Sequence, residues 1–327
     1  MKRSFAKLII LALLAAAGWL AAALLWPLSP PLQTTVIFPP GAGARTIAHQ
    51  LAAAGVIRSE RAFILLYHAR KGLKLRAGEY AFTRPTNTLE VMDRIARGDS
   101  LSRTLVIPEG YNMFEIAQAV EGAGLGKASD FLAIAAHDTS FLRTYDPQAT
   151  SLEGYLFPDT YRFTRTQTMH DIVAAMVRRF QREAAALGLT ENVRRTVILA
   201  SIVEKETAVP EERPLVAGVY VNRLQKSVPL GADPTVIYAA ELAGRYRGVI
   251  HQSDLDSDSP YNTYHHPGLP PGPIANPGSA ALRAALHPAQ TPFLFFVAEG
   301  DGSGRHRFSS SYREHERNVA AYRKTQK

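Results

Sequence analysis

From Leu8 to Trp26 the chain runs for 19 residues without a charge, and its only hydrogen-bonding side chains there are the indoles of Trp19 and Trp26. Wound as a helix at 1.5 Å per residue, such a run is roughly 28 Å long, close to the hydrocarbon thickness of a bilayer. Lys2, Arg3 and Lys7 precede it. The positive-inside rule therefore keeps the N-terminus in the cytoplasm and exports the rest. Pro27, Pro30 and Pro31 stop the helix beside Trp26, an interfacial residue type. Ala21-Ala22-Ala23 also resembles a signal-peptide cleavage site, but the apolar run continues through Leu24-Leu25-Trp26, which favours a retained anchor over 8–26. Under either reading the chain beyond about residue 32 works outside the cytoplasm.

At 327 residues the chain is long enough for two domains, and its 46% hydrophobic and 20% charged content is that of a globular protein. It has no cysteine, which excludes disulfides, thiolate metal sites and a cysteine nucleophile. A net charge of +8 would point to nucleic acid in a cytoplasmic protein. In an exported chain it points instead to anionic cell-wall polymer or lipid headgroups, so no nucleic-acid partner is expected.

An internal repeat with an offset of 69 residues follows the anchor. Val36-Ile-Phe-Pro-Pro-Gly41 answers Leu105-Val-Ile-Pro-Glu-Gly110, Ile47-Ala48 answers Ile116-Ala117, and Ala54-Gly55 answers Ala123-Gly124. Each unit reads as a short strand, a Pro/Gly turn and two helices. Glu79–Phe82 reads as a strand between them, and Asn87 with Glu90 as a capping box for a helix that Gly98 closes. Units of this kind suit glycan binding, and equally suit plain helical packing.

Beyond a polar break at 138–149, the odd positions of Leu152–Phe163 carry Tyr155, Phe157, Asp159, Tyr161 and Phe163, one face of a strand if extended. Aromatics around an acid can hold a sugar ring; they also make an ordinary core. Pro260–Pro292 holds eight prolines and is expected to be an ordered wall without a helix. Phe293–Ala298, the turn at Gly300–Gly304 and Arg305–Phe308 read as a hairpin, and Ser311 with Glu314 as the cap of a closing helix.

The chemistry concentrates in Val197-Ile-Leu-Ala-Ser-Ile-Val-Glu-Lys-Glu-Thr207, where seven nearly apolar residues run into Glu204. Burial disfavours the charged form of a carboxyl, and a carboxyl that keeps its proton is what a general acid needs. On a helix beginning near Thr190, Glu204 lies over Val193, Val197 and Ala200, with Ser201 about 60° away. Glu206 falls roughly 160° round, beside Arg195 and Ile202. This face analysis selects Glu204 as the acid, although the same pattern also describes a helix that ends in solvated charge. There is no serine elbow, phosphate loop, dinucleotide fingerprint or H-E-x-x-H zinc spacing. No metal and no cofactor are expected, and carboxylate chemistry on a glycan remains.

Several ordered motifs resemble the YceG-like endolytic murein transglycosylases. They are Leu152–Tyr161, Ala200–Thr207, Val219–Leu224, Asp233–Tyr238, Ser259–Tyr264, Gly268–Ile274, and Phe308-Ser309 followed by Glu314-His315. Leu230-Gly-Ala-Asp233 departs from a pattern in which glutamine or serine often precedes the Asp, and Glu316 replaces a common asparagine.

The resemblance covers the whole chain and implies an α+β fold. Its parts would be a cytoplasmic N-terminus (1–7), a transmembrane anchor (8–26), a linker (27–33), a LysM-like glycan-binding region (34–145) and a catalytic domain (146–327). It implies an enzyme of a bacterial cytoplasmic membrane whose catalytic domain is extracytoplasmic. Such an enzyme cuts the MurNAc–GlcNAc bond of nascent peptidoglycan strands, leaves 1,6-anhydro-MurNAc ends and works beside penicillin-binding synthases. Glu204 would be its catalytic acid and then base. Tyr155, Asp159, Asn222, Asp233, Tyr261, Asn262 and His306 are the candidates for its substrate groove. Two other readings stay open: a water-using muramidase that adds Asp159 or Glu153 as second acid, and a non-catalytic peptidoglycan-binding scaffold.

Overall fold

The computed structural model describes residues 2–31 and 34–325, with side chains from Phe5 onward. The expected charges of Lys2 and Arg3 and the linker positions 32–33 thus fall outside the described side chains. The apolar run forms α1 (Lys2–Leu25), within which Phe5–Leu25 is long and apolar enough to cross a membrane. The chain divides into two compact units. The first comprises the residues up to Thr104 together with Arg162–Thr168, and the second Leu105–Tyr161 and Met169 onward.

In the first unit, β1 (Thr34–Phe38) leads to α2 (Ala44–Ala53) and α3 (Glu60–Ala69), followed by β2 (Gly78–Phe82), α4 (Thr88–Arg97) and the start of β3 (Arg103–Val106). β1 and β2 pair antiparallel from Thr34↔Phe82 to Phe38↔Gly78. The alternation of β1 turns Val36 and Phe38 inward, where Phe38 meets Tyr80 at 5.4 Å between ring centres. Ile47, Leu51, Phe63, Val91, Met92 and Ile95 complete this core from the helices. Asn87 caps α4 by accepting the Glu90 N–H at 2.9 Å. Gly98 closes that helix at φ +79°, a left-handed conformation that disfavours any side chain.

The second unit opens with α5 (Met113–Gly122) and α6 (Ala128–Ala135), then β4 (Thr160–Phe163) and α7 (Met169–Ala186). β3 pairs with β4. The strand–helix–helix order of β1, α2 and α3 returns 69 residues later in β3, α5 and α6, α2 and α5 agreeing at both ends. The second copy belongs to the second unit, so the division near residue 104 does not coincide with the boundary expected at 145.

At the centre stands α8 (Val193–Glu206), buried at every position from Thr196 to Val203. Around the rest of the unit run α9 (Arg213–Gln225), α10 (Asp233–Leu242), the short α11 (Gln252–Leu255) and α12 (Ser279–Leu286). The hairpin β5 (Phe295–Ala298) and β6 (His306–Ser309) precedes the closing helix α13 (Tyr312–Thr325). Small residues set the packing at α8. Ser201 donates its hydroxyl to the Ile198 carbonyl at 2.8 Å and accepts the Ile274 N–H at 3.1 Å, which ties the proline-rich wall to the helix.

Three expectations are corrected here. The helix of Glu204 starts at Val193, after Asn192 takes a left-handed turn at φ 52°, and not near Thr190. The wall 260–292 does contain a helix: between Pro277 and Pro288 the proline-free, alanine-rich segment forms α12. Leu152–Phe163 is a strand only from Thr160, because Gly154 at φ +86° and Pro158 break the extended run. A β-carbon on Gly154 would lie 2.5 Å from Pro273 and 2.8 Å from Val197, so this motif is a packing junction.

Candidate active site

The two acids of α8 diverge at its C-terminal end, and their surroundings differ. Glu204 has a side chain only 4% exposed. Its Oε1 accepts from Arg213 at 2.8 Å, and its Oε2 accepts the N–H of Gly278 at 2.9 Å. Gly278 is the residue just before α12, so the carboxyl also sits at the positive end of that helix. Glu109 is the second carboxylate near Arg213, at 3.7 Å. Burial raises the proton affinity of Glu204, opposed by the Gly278 N–H and the Arg213 charge. Both oxygens are engaged inside the fold.

Glu206 faces a cavity of about 470 Å³. Tyr220 of α9 donates its hydroxyl to Glu206 Oε1 at 2.6 Å. Burial pushes the carboxyl of Glu206 up, opposed by the Tyr220 hydrogen bond and reinforced by the Asp233 carboxylate. The remaining wall comes from α9, α10, the loop of Tyr264, β5 and α13. Arg223, one turn beyond Tyr220, donates to the carbonyls of Leu294 at 2.6 Å and Leu230 at 2.5 Å. Its guanidinium lies over the Phe295 ring at 5.3 Å. Asp233, the first residue of α10, accepts the Tyr264 hydroxyl at 2.7 Å. Phe295 stacks on His315 at 5.1 Å between ring centres, and Tyr312 meets Phe295 edge-on. Burial and the Arg223 charge lower the proton affinity of His315.

The arrangement joins one carboxyl whose proton affinity burial raises, a second carboxylate held by a phenol, a half-buried cation and an aromatic shelf. A sugar ring presents C–H faces that stack on such a shelf and hydroxyls that meet the polar groups. Among the described residues no group of three His, Cys, Asp or Glu is placed to hold a metal ion.

Of the groove residues expected from sequence, only Asp233 lines this cavity. Tyr155 is fully buried and donates to Asp146 at 2.7 Å. Asp159 pairs with Arg179 at 2.7 Å. Asn222 donates to the carbonyls of Thr291 at 2.7 Å and Phe293 at 2.9 Å, on the face of α9 away from Tyr220 and Arg223. Tyr261 packs its ring on Tyr238 at 5.1 Å. Asn262 is fully buried; it donates to Leu255 and Ser257 carbonyls and accepts the Tyr264 N–H at 3.1 Å, so it aims Tyr264 without lining the site. His306 pairs with Glu212 at 2.8 Å. Glu206 was weighed and passed over for Glu204, and Tyr220, Arg223, Tyr264, Phe295, Tyr312 and His315 were not singled out. The recurrence of Tyr264 and His315 within the ordered motifs was the signal that could have found them.

The model of the YceG-like family matches residues 36–321. The chain belongs to the YceG-like family. Among YceG-like relatives, a Bacillus subtilis (strain 168) protein named endolytic murein transglycosylase is 32% identical over 323 residues, covering 91% of this chain and 88% of the relative. A Streptococcus pneumoniae (serotype 2, strain D39) protein of the same name is 30% identical over 353 residues, covering 96% of this chain. This chain spans 64% of the pneumococcal relative's length. A YceG-like protein from Listeria monocytogenes, solved by crystallography, superposes with a TM-score of 0.57 at 31% identity, covering 88% of this chain and 99% of that one.

Proposed function

We propose that this YceG-like chain is a lytic transglycosylase that cleaves peptidoglycan strands, with Glu206 as its acid and base. The observation that carries the reading is the Glu206 carboxyl in a cavity walled by Asp233, Tyr264, Arg223 and the Phe295–His315 shelf. The curated relatives named endolytic murein transglycosylase support the substrate class. Sequence reasoning favoured Glu204, but both of its oxygens are already engaged by Arg213 and Gly278. Glu204 serves here as the brace that holds α9 and α12 on the end of α8.

The mechanism needs one proton carrier. With its proton affinity raised by burial, Glu206 in its acid form gives its proton to the oxygen that leaves between MurNAc and GlcNAc. The resulting carboxylate then takes the proton of the muramyl C6 hydroxyl, whose oxygen attacks C1 and closes the 1,6-anhydro ring. No water is consumed, so the second carboxylate of ordinary glycosidases is dispensable. Arg223 and the Tyr220 hydroxyl stabilise the transient anion of Glu206, and Asp233 offsets positive charge that develops at the sugar ring.

A second reading draws on that same Asp233. A carboxylate beside the acid could activate water, which would make the enzyme a muramidase. The second acids considered from sequence do not fit: Asp159 is held by Arg179, and Glu153 is buried against Met113, Tyr238 and Asn276. Mass spectrometry of digested, uncrosslinked peptidoglycan separates the readings. Anhydro-muramyl ends are expected, reducing ends would establish the muramidase, and intact strands would leave only a binding scaffold.

Around this core the proposal includes α1 as a retained single-pass anchor, with the enzyme outside a bacterial cytoplasmic membrane. The two strand–helix–helix units, at 34–145 in the expected LysM-like region, would hold glycan for the catalytic part at 146–327. Work beside penicillin-binding synthases would follow from action on nascent strands.

A further inference from the structure

Ala22 and Ala23 each stand three or four residues from both Trp19 and Trp26, so the four share one face, a stripe along α1 and onto Trp26 just beyond it, whose N–H still bonds the Ala22 carbonyl at 3.2 Å. The two indoles stand about 10 Å apart along the axis, with the small alanines between them. Facing the stripe, at the entry to α3, are Arg58 and Ser59, and the six residues enclose a cavity of about 560 Å³. Arg58 donates to the carbonyl of Pro27 at 3.3 Å, which holds the guanidinium at the level where α1 ends. Ser59 caps α3 by accepting the Ala62 N–H at 3.2 Å. Among the described residues no carboxylate lies within ion-pair distance of Arg58, and Trp26 is 68% exposed. The hydrogen bonds from Thr88 to the Ala23 carbonyl at 2.9 Å and between Leu28 and Thr86 fix α1 against this unit.

We propose that this cavity binds one anionic phospholipid of the outer leaflet; the inference rests on the reading of α1 as a retained anchor. Arg58 takes the phosphate, because a guanidinium offers a planar fork of N–H donors that matches two phosphate oxygens. Trp26 lies beside the glycerol region, the depth at which indoles collect in membranes. The first acyl methylenes run over Ala22 and Ala23 towards Trp19, on a floor too small to obstruct them. The preference for a net negative headgroup comes from Arg45 and Arg61. Both are exposed on the same unit beside Leu65, an apolar side chain 55% open to solvent on α3, and Glu60, which lines the same surface, pairs with His49 at 2.9 Å. The occupant is a membrane lipid and not a free phosphate, since the indole stripe has no use for a ligand without an apolar tail.

Native mass spectrometry of the full chain released from mixed phosphatidylglycerol and phosphatidylcholine bilayers tests this. One phosphatidylglycerol should stay bound per chain. Arg58→Gln should lower its retention about fivefold, the weight of one interfacial arginine. Ala22→Leu, which fills the floor and leaves every charge in place, should lower it as well, while Arg247→Gln in the other unit should not. Equal retention by Arg58→Gln and the parent, or equal retention of both lipids, overturns the proposal. Carbonate extraction keeps the two readings apart: a chain released from membranes overturns the anchor itself, whereas an inserted chain without Arg58-dependent lipid overturns this site alone.

Discussion

The hydroxyl of Tyr220 and the carboxyl of Glu206 are joined by a 2.6 Å hydrogen bond at the head of the cavity. The bond favours the ionised carboxyl, against the burial that favours the proton. Tyr220→Phe removes the donor and leaves the burial. Glu206 should then hold its proton to higher pH, and the alkaline limb of the pH–rate profile should move up by about one to two pH units, given the roughly 1.5–3 kcal/mol of a charged hydrogen bond. A pH profile of strand cleavage checks the shift; a limb that stays in place would show that the phenol does not tune the acid.

Glu204 predicts a different phenotype. Arg213 has a side chain 10% exposed and depends on Glu204 as its near partner. Glu204→Ala leaves a buried cation poorly compensated, a change that costs about 3–5 kcal/mol when one member of a buried pair is removed. Thermal or urea denaturation should register that loss, and Glu204→Gln, which keeps an acceptor for the Gly278 N–H, should lose less.

Glu153 gives the pH dependence of stability. Burial pushes its carboxyl up to about 8. In the unfolded chain the same group titrates at an ordinary carboxylate value of about 4.3. The folded protein thus binds the extra proton between those values, and stability falls as pH rises through that window. The contribution is fully present below pH 4.3 or so and gone above about 8. Glu153→Gln should flatten the dependence of the denaturation midpoint on pH across this range.

Gly154 and Gly188 separate two glycine effects in the same unit. Both have positive φ, +86° and +69°, but a β-carbon on Gly188 meets nothing within 4 Å whereas one on Gly154 overlaps Pro273. Gly188→Ala should cost about 1 kcal/mol from the left-handed backbone alone. Gly154→Ala adds overpacking and should cost about 3 kcal/mol in all. Melting temperatures of the two variants test the difference.

Much of the fold could be read from the chain because its signals are local. The 69-residue repeat returned as matching helices, Gly98 closed α4, and the glycine turn produced the β5–β6 hairpin. The cavity position of Glu206 escapes the helical face analysis for a physical reason. Face analysis assumes a helix with one wet side, but α8 is buried on every face from Thr196 to Val203, so only the neighbours at its end distinguish the two glutamates. Those neighbours come from α9, α10, α13 and the loop of Tyr264, whose convergence no spacing rule encodes. Tyr155 and Asn262 failed as groove residues for the converse reason: their polar groups satisfy buried partners that the sequence does not display.

The direct test of this account compares Glu206→Gln with Glu204→Gln on uncrosslinked peptidoglycan, each first shown by circular dichroism to be folded at the assay temperature. Glu206→Gln should lose at least about a hundredfold in anhydro-muramyl products, the lower range for a general acid, and folded Glu204→Gln should still produce them. Abundant anhydro ends from Glu206→Gln, or their loss in folded Glu204→Gln alone, would contradict the role of Glu206.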